Sequence, residues 1–313
     1  VILKQRFFNS IEISINGIFI SAILLLTWFG ISIFPSQIKY LSLYNFFWVG
    51  SLIIVFLLFS FNDNKEQIWQ QVWPAILFLV VIWALYGLVQ HYYLRIPANA
   101  SFLNRNSLAA LINLALIPAS GYFLLQPSNR PGNYLSDKVL TLALVILLLM
   151  IFIITSRGAS LSLFIGYAIL TSLLFKHIEK QRIYSLLTIV LVSFLISYLS
   201  QYFFQGVSSN SFAERMVTLQ DTAKAGNTRF IIWESLIPLF KEMPWYGLGL
   251  GSLWVFWPPY RPANDGSAGY FAHNDYIQIT LEAGYPGIIL LVTLFLFVLV
   301  NFIKTIKISS NKN

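Results

Sequence analysis

The stretch VLTLALVILLLMIFIITSRGASLSLFIGYAILTSLLF, residues 139–175, decides the fold, because it carries a single charged residue, Arg157, in an otherwise uncharged run. A helix that crosses a bilayer needs about 20 apolar residues. One helix over the whole stretch would overshoot any bilayer, whereas two helices fit. We therefore predict two short membrane spans, roughly 139–155 and 159–175, and a tight hairpin at Arg157-Gly158, where glycine permits the turn.

The composition of the whole chain agrees with a membrane protein. Hydrophobic residues make up 57% of the chain and charged residues 10%, whereas soluble domains carry about 25% charged residues. The chain has no cysteine, which excludes disulfides and thiolate metal sites. Apolar runs beyond the opening stretch predict an all-α integral membrane protein, a polytopic bundle of about eight transmembrane helices; these runs are roughly 13–34, 41–61, 68–90, 106–125, 183–201 and 285–303.

Basic residues set the expected orientation, because they concentrate in cytoplasmic loops. With a cytoplasmic N-terminus, one side holds Lys4, Arg6, Lys65, Arg130, Lys138, Lys176, Lys180, Arg182, Lys304, Lys307 and Lys312. The short loops opposite hold Lys39, Arg95, Arg105 and Arg157. We therefore predict a multi-pass protein with both termini cytoplasmic. The net charge of +8 then reflects topology, so nucleic acid is not an expected partner.

Three regions follow from this topology. Residues 1–201 hold transmembrane helices 1–7, residues 202–283 form one large outer loop, and residues 284–313 form helix 8 with a basic cytoplasmic tail. Asp and Glu are absent from every predicted span. Ion-coupled transporters usually need such buried carboxylates, so any chemistry is expected in the outer loops.

The outer loop contains a predicted surface helix over about 227–243. Its apolar residues recur at helical spacing, and Pro238 is expected to bend it. Arg229 and Trp233 lie four apart and share one face; Arg229 is either functional or a snorkelling interfacial residue. The glycines of 244–252 predict a tight bend with close backbone approach, although backbone N–H groups there could also line an anion pocket.

The segment GYFAHNDYIQ, residues 269–278, places one of three histidines beside the last apolar run. Residues 274–283 can form a short helix at the membrane's outer edge, with His273 at or just before its N-terminus. A neutral imidazole there can accept a proton from a hydroxyl. The alternative is a structural histidine that bonds to its own loop.

Four segments together resemble the O-antigen ligase/polymerase superfamily, the membrane glycosyltransferases of bacterial surface polysaccharides. They are SFLNRNSLAALI (101–112), TSRGASLSLFIG (155–166), NTRFIIWESLIPLFKEMPWYGLGLGS (227–252) and AHNDYIQITLEAGYPGIILL (272–291). The resemblance implies a GT-C-like bundle in the bacterial inner membrane. It also implies periplasmic transfer of a glycan from undecaprenyl pyrophosphate to an acceptor hydroxyl, without a cofactor, in lipopolysaccharide biosynthesis.

The resemblance also implies roles for individual residues. His273 matches the family's catalytic histidine, Arg157 and Arg229 match arginines that hold the pyrophosphate, and Arg105 matches more loosely. Arginine suits diphosphate because its planar fork binds two oxygens. The acidic and amide residues near His273 are further candidates that orient it or meet the acceptor, namely Asn274, Asp275 and Glu282.

Several alternatives stay open on sequence grounds. The outer loops have no closely spaced carboxylate pair, so we expect metal-independent catalysis with arginine as the counter-charge. The acceptor is lipid A-core for a ligase, another lipid-linked unit for a polymerase, or a protein for an O-oligosaccharyltransferase. A flippase for a lipid-linked sugar, which is a transporter rather than a transferase, is the alternative from another class of protein. Superfamily members usually continue with further spans, so the sequence is expected to be either truncated at the C-terminus or a short member.

Overall fold

A computed structural model of the protein describes residues 16–60, 65–102, 104–126, 137–154, 156–203, 222–262 and 269–310. These residues are helical or lie in turns between helices, which confirms the all-α prediction. Two short 3-10 turns, Phe175–His177 and Pro258–Tyr260, accompany the α-helices. The α-helices of the described ranges are α1 (Gly17–Ile31), α2 (Lys39–Ser60), α3 (Lys65–Tyr92), α4 (Arg105–Leu125), α5 (Asp137–Ile154), α6 (Arg157–Leu174), α7 (Lys180–Phe203), α8 (Thr222–Glu242), α9 (Leu253–Phe256) and α10 (Asp275–Ser310).

Each of the predicted spans coincides with a helix over most of its length. Residues 32–34 lie in a turn, and residues 13–15, Phe61 and Thr155 lie outside the described residues. Six helices are long and apolar enough to cross a membrane, namely α2, α3, α4, α5, α7 and α10. Helix α1 and the apolar part of α6, Gly158–Leu174, are shorter. The chain is therefore a polytopic helical membrane protein.

The break between α5 and α6 differs from the predicted hairpin. Arg157 and Gly158 are not the turn, because both lie in the first turn of α6. The break comes directly before Arg157, where Ser156 caps α6 by accepting a hydrogen bond from the backbone N–H of Ala159. A serine at this position satisfies an N–H group that the helix leaves unpaired. A cap, rather than glycine's freedom, therefore starts the helix.

The chain divides into two compact units, Val1–Glu66 with Thr222–Asn313 and Gln67–Asp221. In the second unit α4 is the most buried of the candidate spans. Helices α4 and α6 run parallel and stay in register, since Asn113 bonds to Ser162, Ile117 packs on Gly166 and Leu170 packs on Gly121. Their N-termini therefore lie at the same end of this unit.

In the first unit α1 runs antiparallel to α10. The indole N–H of Trp28 donates to the carbonyl of Ala283 at 2.7 Å, and Gly17, at the other end of α1, lies against Phe297. Helix α10 is bent at Gly284, where φ is 70° and ψ is −174°. The bend separates a short helix, residues 275–283, from the apolar run that follows, as the sequence predicts. Since Gly284 packs directly on the backbone of Trp245 and Tyr246, a side chain has no room there.

Candidate functional site

A side-chain hydrogen bond connects α8 to the segment that contains His273. The indole N–H of Trp233, on α8, donates to the carbonyl of Ala272 at 3.0 Å. Arg229 lies one helical turn before Trp233 on the same face, about 6 Å along the axis, and its side chain is exposed. His273 directly follows Ala272 and is also exposed. The structure thus brings Arg229 and His273 into one part of the first unit.

The backbone of His273 adopts a left-handed conformation with a φ of 52°. Few residues other than glycine adopt it, and such strained positions cluster at functional sites. The next residue, Asn274, caps α10, because its side-chain oxygen accepts from the N–H groups of Tyr276 and Ile277 at 3.0 and 3.3 Å. Asp275 opens the helix and is exposed. His273 therefore lies between Ala272, whose carbonyl accepts from the indole of Trp233, and Asn274, which caps α10.

Glu282 has a different set of partners from the one its nearness to His273 in sequence predicts. Its carboxylate accepts from the backbone N–H groups of Gly251 and Leu253 at 2.7 and 3.3 Å, and from the side-chain amide of Gln278 at 3.1 Å. The residue is only 7% exposed. These loop N–H groups thus bind the chain's own carboxyl group, and Glu282 fixes the glycine-rich loop, residues 244–252.

The glycine-rich loop makes the close backbone approach that the sequence predicts. Gly251 has a φ of 71°, and a side chain there would collide with the amide of Asn45. The N–H groups of Leu248 and Gly249 donate to the carbonyls of Leu281 and Glu282 at 2.9 and 2.8 Å. The loop is therefore tied to the short helix that follows His273.

A buried apolar cluster lies beneath this site. It joins α8, the glycine-rich loop, α9 and the start of α10, through Ile232, Leu236, Leu239, Met243, Leu248, Leu253, Trp257, Ala272 and Leu281. The indole N–H of Trp257 donates to the hydroxyl of Ser235 on α8 at 2.9 Å. At the end of α8 the hydroxyl of Tyr260 donates to Glu242, and this hydrogen bond raises the pKa of the Tyr260 phenol. The cluster gives the exposed site residues a rigid base.

Arg105 and Arg157 belong to the second unit and occupy equivalent positions. Each is the first residue of its helix, Arg105 of α4 and Arg157 of α6. From the register of the two parallel helices, Arg157 is level with Leu108, one turn from Arg105. The side chain of Arg157 lies outside the described part of the structure. Both helix N-termini carry partial positive charge, which favours an anion and disfavours an uncompensated cation.

A buried amide and a hydroxyl pair support the register of α4 and α6. The side-chain N–H₂ group of Asn113 donates to the carbonyl of Ala159 at 2.7 Å and to the hydroxyl of Ser162 at 2.8 Å. Ser120 and Tyr167 share a further hydrogen bond of 2.9 Å. Ala159 lies in the first turn of α6, so its bond to Asn113 fixes where α6 begins, at Arg157, relative to α4.

The comparison with known families agrees with this arrangement. Residues 142–292, from α5 to the bend region of α10, match the sequence model described as O-antigen ligase. No curated protein and no solved structure matches the chain. The match includes Arg157, Arg229 and His273 but not Arg105. The match of residues 142–292 thus supports the O-antigen ligase/polymerase superfamily for this chain.

Proposed function

We propose that the protein is an O-antigen-ligase-like glycosyltransferase that moves a glycan from undecaprenyl pyrophosphate to a hydroxyl of lipid A-core. The family supports a function of ligase or polymerase type and a membrane glycosyltransferase chemistry. The observation that carries the proposal is the bond from Trp233 to Ala272, which joins the helix of Arg229 to the segment of His273.

In this proposal His273 is the general base. Its imidazole accepts the proton of the acceptor hydroxyl, the hydroxyl oxygen attacks the anomeric carbon, and the bond from that carbon to the pyrophosphate oxygen breaks. Undecaprenyl pyrophosphate leaves with one more negative charge, and we propose that arginine neutralises it. Arg229 is the candidate in the first unit, and Arg157 and Arg105 are the candidates in the second. Guanidinium groups stay charged and bind phosphate oxygens in pairs. Asn274 and Asp275 are proposed to face the acceptor.

The proposed setting is the inner membrane of a bacterium, with both termini in the cytoplasm and the active face in the periplasm. The distribution of basic residues supports this orientation. It places the predicted loop 202–283, which includes α8 and His273, on the side where a finished lipid-linked glycan is joined to its acceptor.

The experiment that tests the function supplies purified protein with lipid-linked glycan and one acceptor at a time. We expect product with rough lipopolysaccharide, which contains lipid A-core. Product only with a second lipid-linked unit would identify a polymerase, and product only with an acceptor protein an O-oligosaccharyltransferase. Product with none of them would contradict a transferase.

A variant of His273 separates the transferase from a flippase. We expect His273→Ala to abolish transfer while binding of the lipid-linked glycan is retained, because the base acts on the acceptor. A flippase has no use for a base, so unchanged transport of the lipid-linked sugar by the variant, without any transfer by the wild type, would support the flippase.

A further inference from the structure

We infer that Trp233 is a positioning residue of the transfer reaction, which sets the location of His273 relative to Arg229 through the hydrogen bond to Ala272. The inference rests on the proposed function and extends it to a residue whose side chain need not touch either substrate.

The acceptor of this bond is the backbone carbonyl of Ala272. Ala272 is fully buried, so water cannot replace a lost donor at its carbonyl. A buried carbonyl without a partner costs free energy comparable to a lost hydrogen bond. The backbone at Ala272 is therefore expected to shift when the indole N–H is removed, and His273 is the next residue along the chain.

The conformation of His273 depends on the residues that hold it on either side. Its left-handed φ of 52° is unfavourable for a residue with a side chain and persists only when its surroundings hold it. On the C-terminal side Asn274 holds the chain as the cap of α10. On the N-terminal side the indole of Trp233 holds it. Removing one of the two anchors allows the imidazole to move.

The donor of the bond is the indole of Trp233, which is itself held in place. The ring of Trp233 is half-buried and packs against the apolar cluster beneath the site. The ring of Phe230 lies edge-on to it, with 5.3 Å between the ring centroids. Arg229 precedes Phe230 on the same helix. The indole is thus fixed by the helix that carries Arg229. Its hydrogen bond to Ala272 therefore holds the backbone next to His273 at a set distance from that helix.

The test compares two tryptophans of the same cluster. Trp233→Phe keeps an aromatic ring and removes the donor to Ala272. Trp257→Phe is the matched control, because Trp257 also donates its indole N–H within this cluster, to Ser235 on α8. The assay measures kcat and KM of glycan transfer from undecaprenyl pyrophosphate to rough lipopolysaccharide, together with the melting temperature of each variant in detergent.

We expect Trp233→Phe to lower kcat about tenfold and to change the KM for the lipid-linked donor less than about twofold, because misplacing a reacting group slows the chemical step. We expect Trp257→Phe to keep kcat within about twofold, even where it lowers the melting temperature as much. Equal kcat values for the two variants, or a loss confined to KM, would overturn the inference.

Two additions keep the test decisive. Should Trp233→Phe fail to fold, benzothienylalanine at position 233 replaces the N–H with sulfur and keeps the ring size, and the same fall in kcat is expected. His273→Ala is measured in parallel. Full activity of His273→Ala would refute the proposed function, whereas an inactive His273→Ala with an unaffected Trp233→Phe would refute the role of Trp233 alone.

Discussion

The carboxylate of Glu282 accepts a hydrogen bond of 2.7 Å from the backbone N–H of Gly251, although the two residues are 31 positions apart in the chain. This bond joins the glycine-rich loop to the short helix that follows His273. Because Glu282 also accepts from Leu253 and Gln278, a single buried side chain fixes the loop, and its loss should disturb the first unit.

We predict that Glu282→Gln lowers the stability of the protein by about 2 kcal/mol, the cost of losing a buried hydrogen bond to a charged group. The amide of glutamine has one acceptor oxygen, so its N–H₂ group must face a backbone N–H. Thermal unfolding in detergent measures the effect. Glu234→Gln, at an exposed position on α8, is the control and should change stability by less than about 0.5 kcal/mol. A melting temperature of Glu282→Gln equal to that of the wild type would contradict the prediction.

We predict that His273→Gly is more stable than His273→Ala by about 1 kcal/mol, because glycine adopts a positive φ without the strain that a Cβ imposes. Both variants should be inactive in glycan transfer. Urea titration or thermal unfolding compares them. The pair separates the loss of the base from any loss of folding, and an active His273→Gly would show that the imidazole is not required.

We predict that Arg157→Lys lowers the rate of transfer about tenfold. Lysine keeps the charge but cannot bind two phosphate oxygens in parallel, and the loss of one charge-assisted hydrogen bond of about 1.5 kcal/mol corresponds to roughly that factor. The kcat of transfer is the measurement. Arg95→Lys, at an exposed position of the same unit, should stay within about twofold. A wild-type rate for Arg157→Lys would indicate that the residue serves topology only.

We predict that Asp137→Asn destabilises the second unit by about 2 kcal/mol. Arg182 is 5% exposed, its guanidinium lies 2.8 Å from Asp137, and it packs over the ring of Phe123. Removing one partner leaves a buried charge uncompensated, and the half-exposed carboxylate moderates the cost. The double variant Asp137→Leu with Arg182→Met should recover most of the melting temperature. A double variant less stable than Asp137→Asn would contradict this explanation.

We predict that a chelator leaves glycan transfer unchanged, because arginines supply the positive charge in the proposed mechanism. Within the described ranges, no group of three or more His, Asp or Glu side chains is arranged to hold a metal ion. Transfer is measured after dialysis against EDTA and again after addition of Mg²⁺ or Mn²⁺. A loss of activity that either cation restores would refute metal independence.

The helices could be predicted well from the sequence because bilayer thickness sets a length that apolar runs display directly. The start of α6 was harder to predict, since both Gly158 and Ser156 are helix-boundary residues. In the structure α6 begins at Arg157, after the Ser156 cap. The prediction took Gly158 as the turn and therefore began the span at residue 159, two residues later. Local composition thus indicates that a break exists more reliably than where it falls.

The site could be predicted only in part, because its main contacts join distant residues. His273, Asn274 and the glycine-rich loop are visible as local patterns. The bond from Trp233 to Ala272 is not, since alanine offers only a backbone carbonyl and leaves no signal in the sequence. The one available hint was that Trp233 shares a helix face with Arg229. The contact of Glu282 with Gly251 is likewise invisible in the sequence, because the two residues are 31 positions apart.

The parallel register of α4 and α6 has a kinetic consequence for capture of a polyanionic lipid. Two helix dipoles add their fields at one end of the second unit, where the sequence also places Arg105 and Arg157 as the first residues of their helices. Such a field attracts a diphosphate from a distance and weakens as counterions screen it. Added salt should then slow the encounter with the donor and lower kcat/KM, while kcat at saturating donor, which no longer depends on that encounter, stays the same.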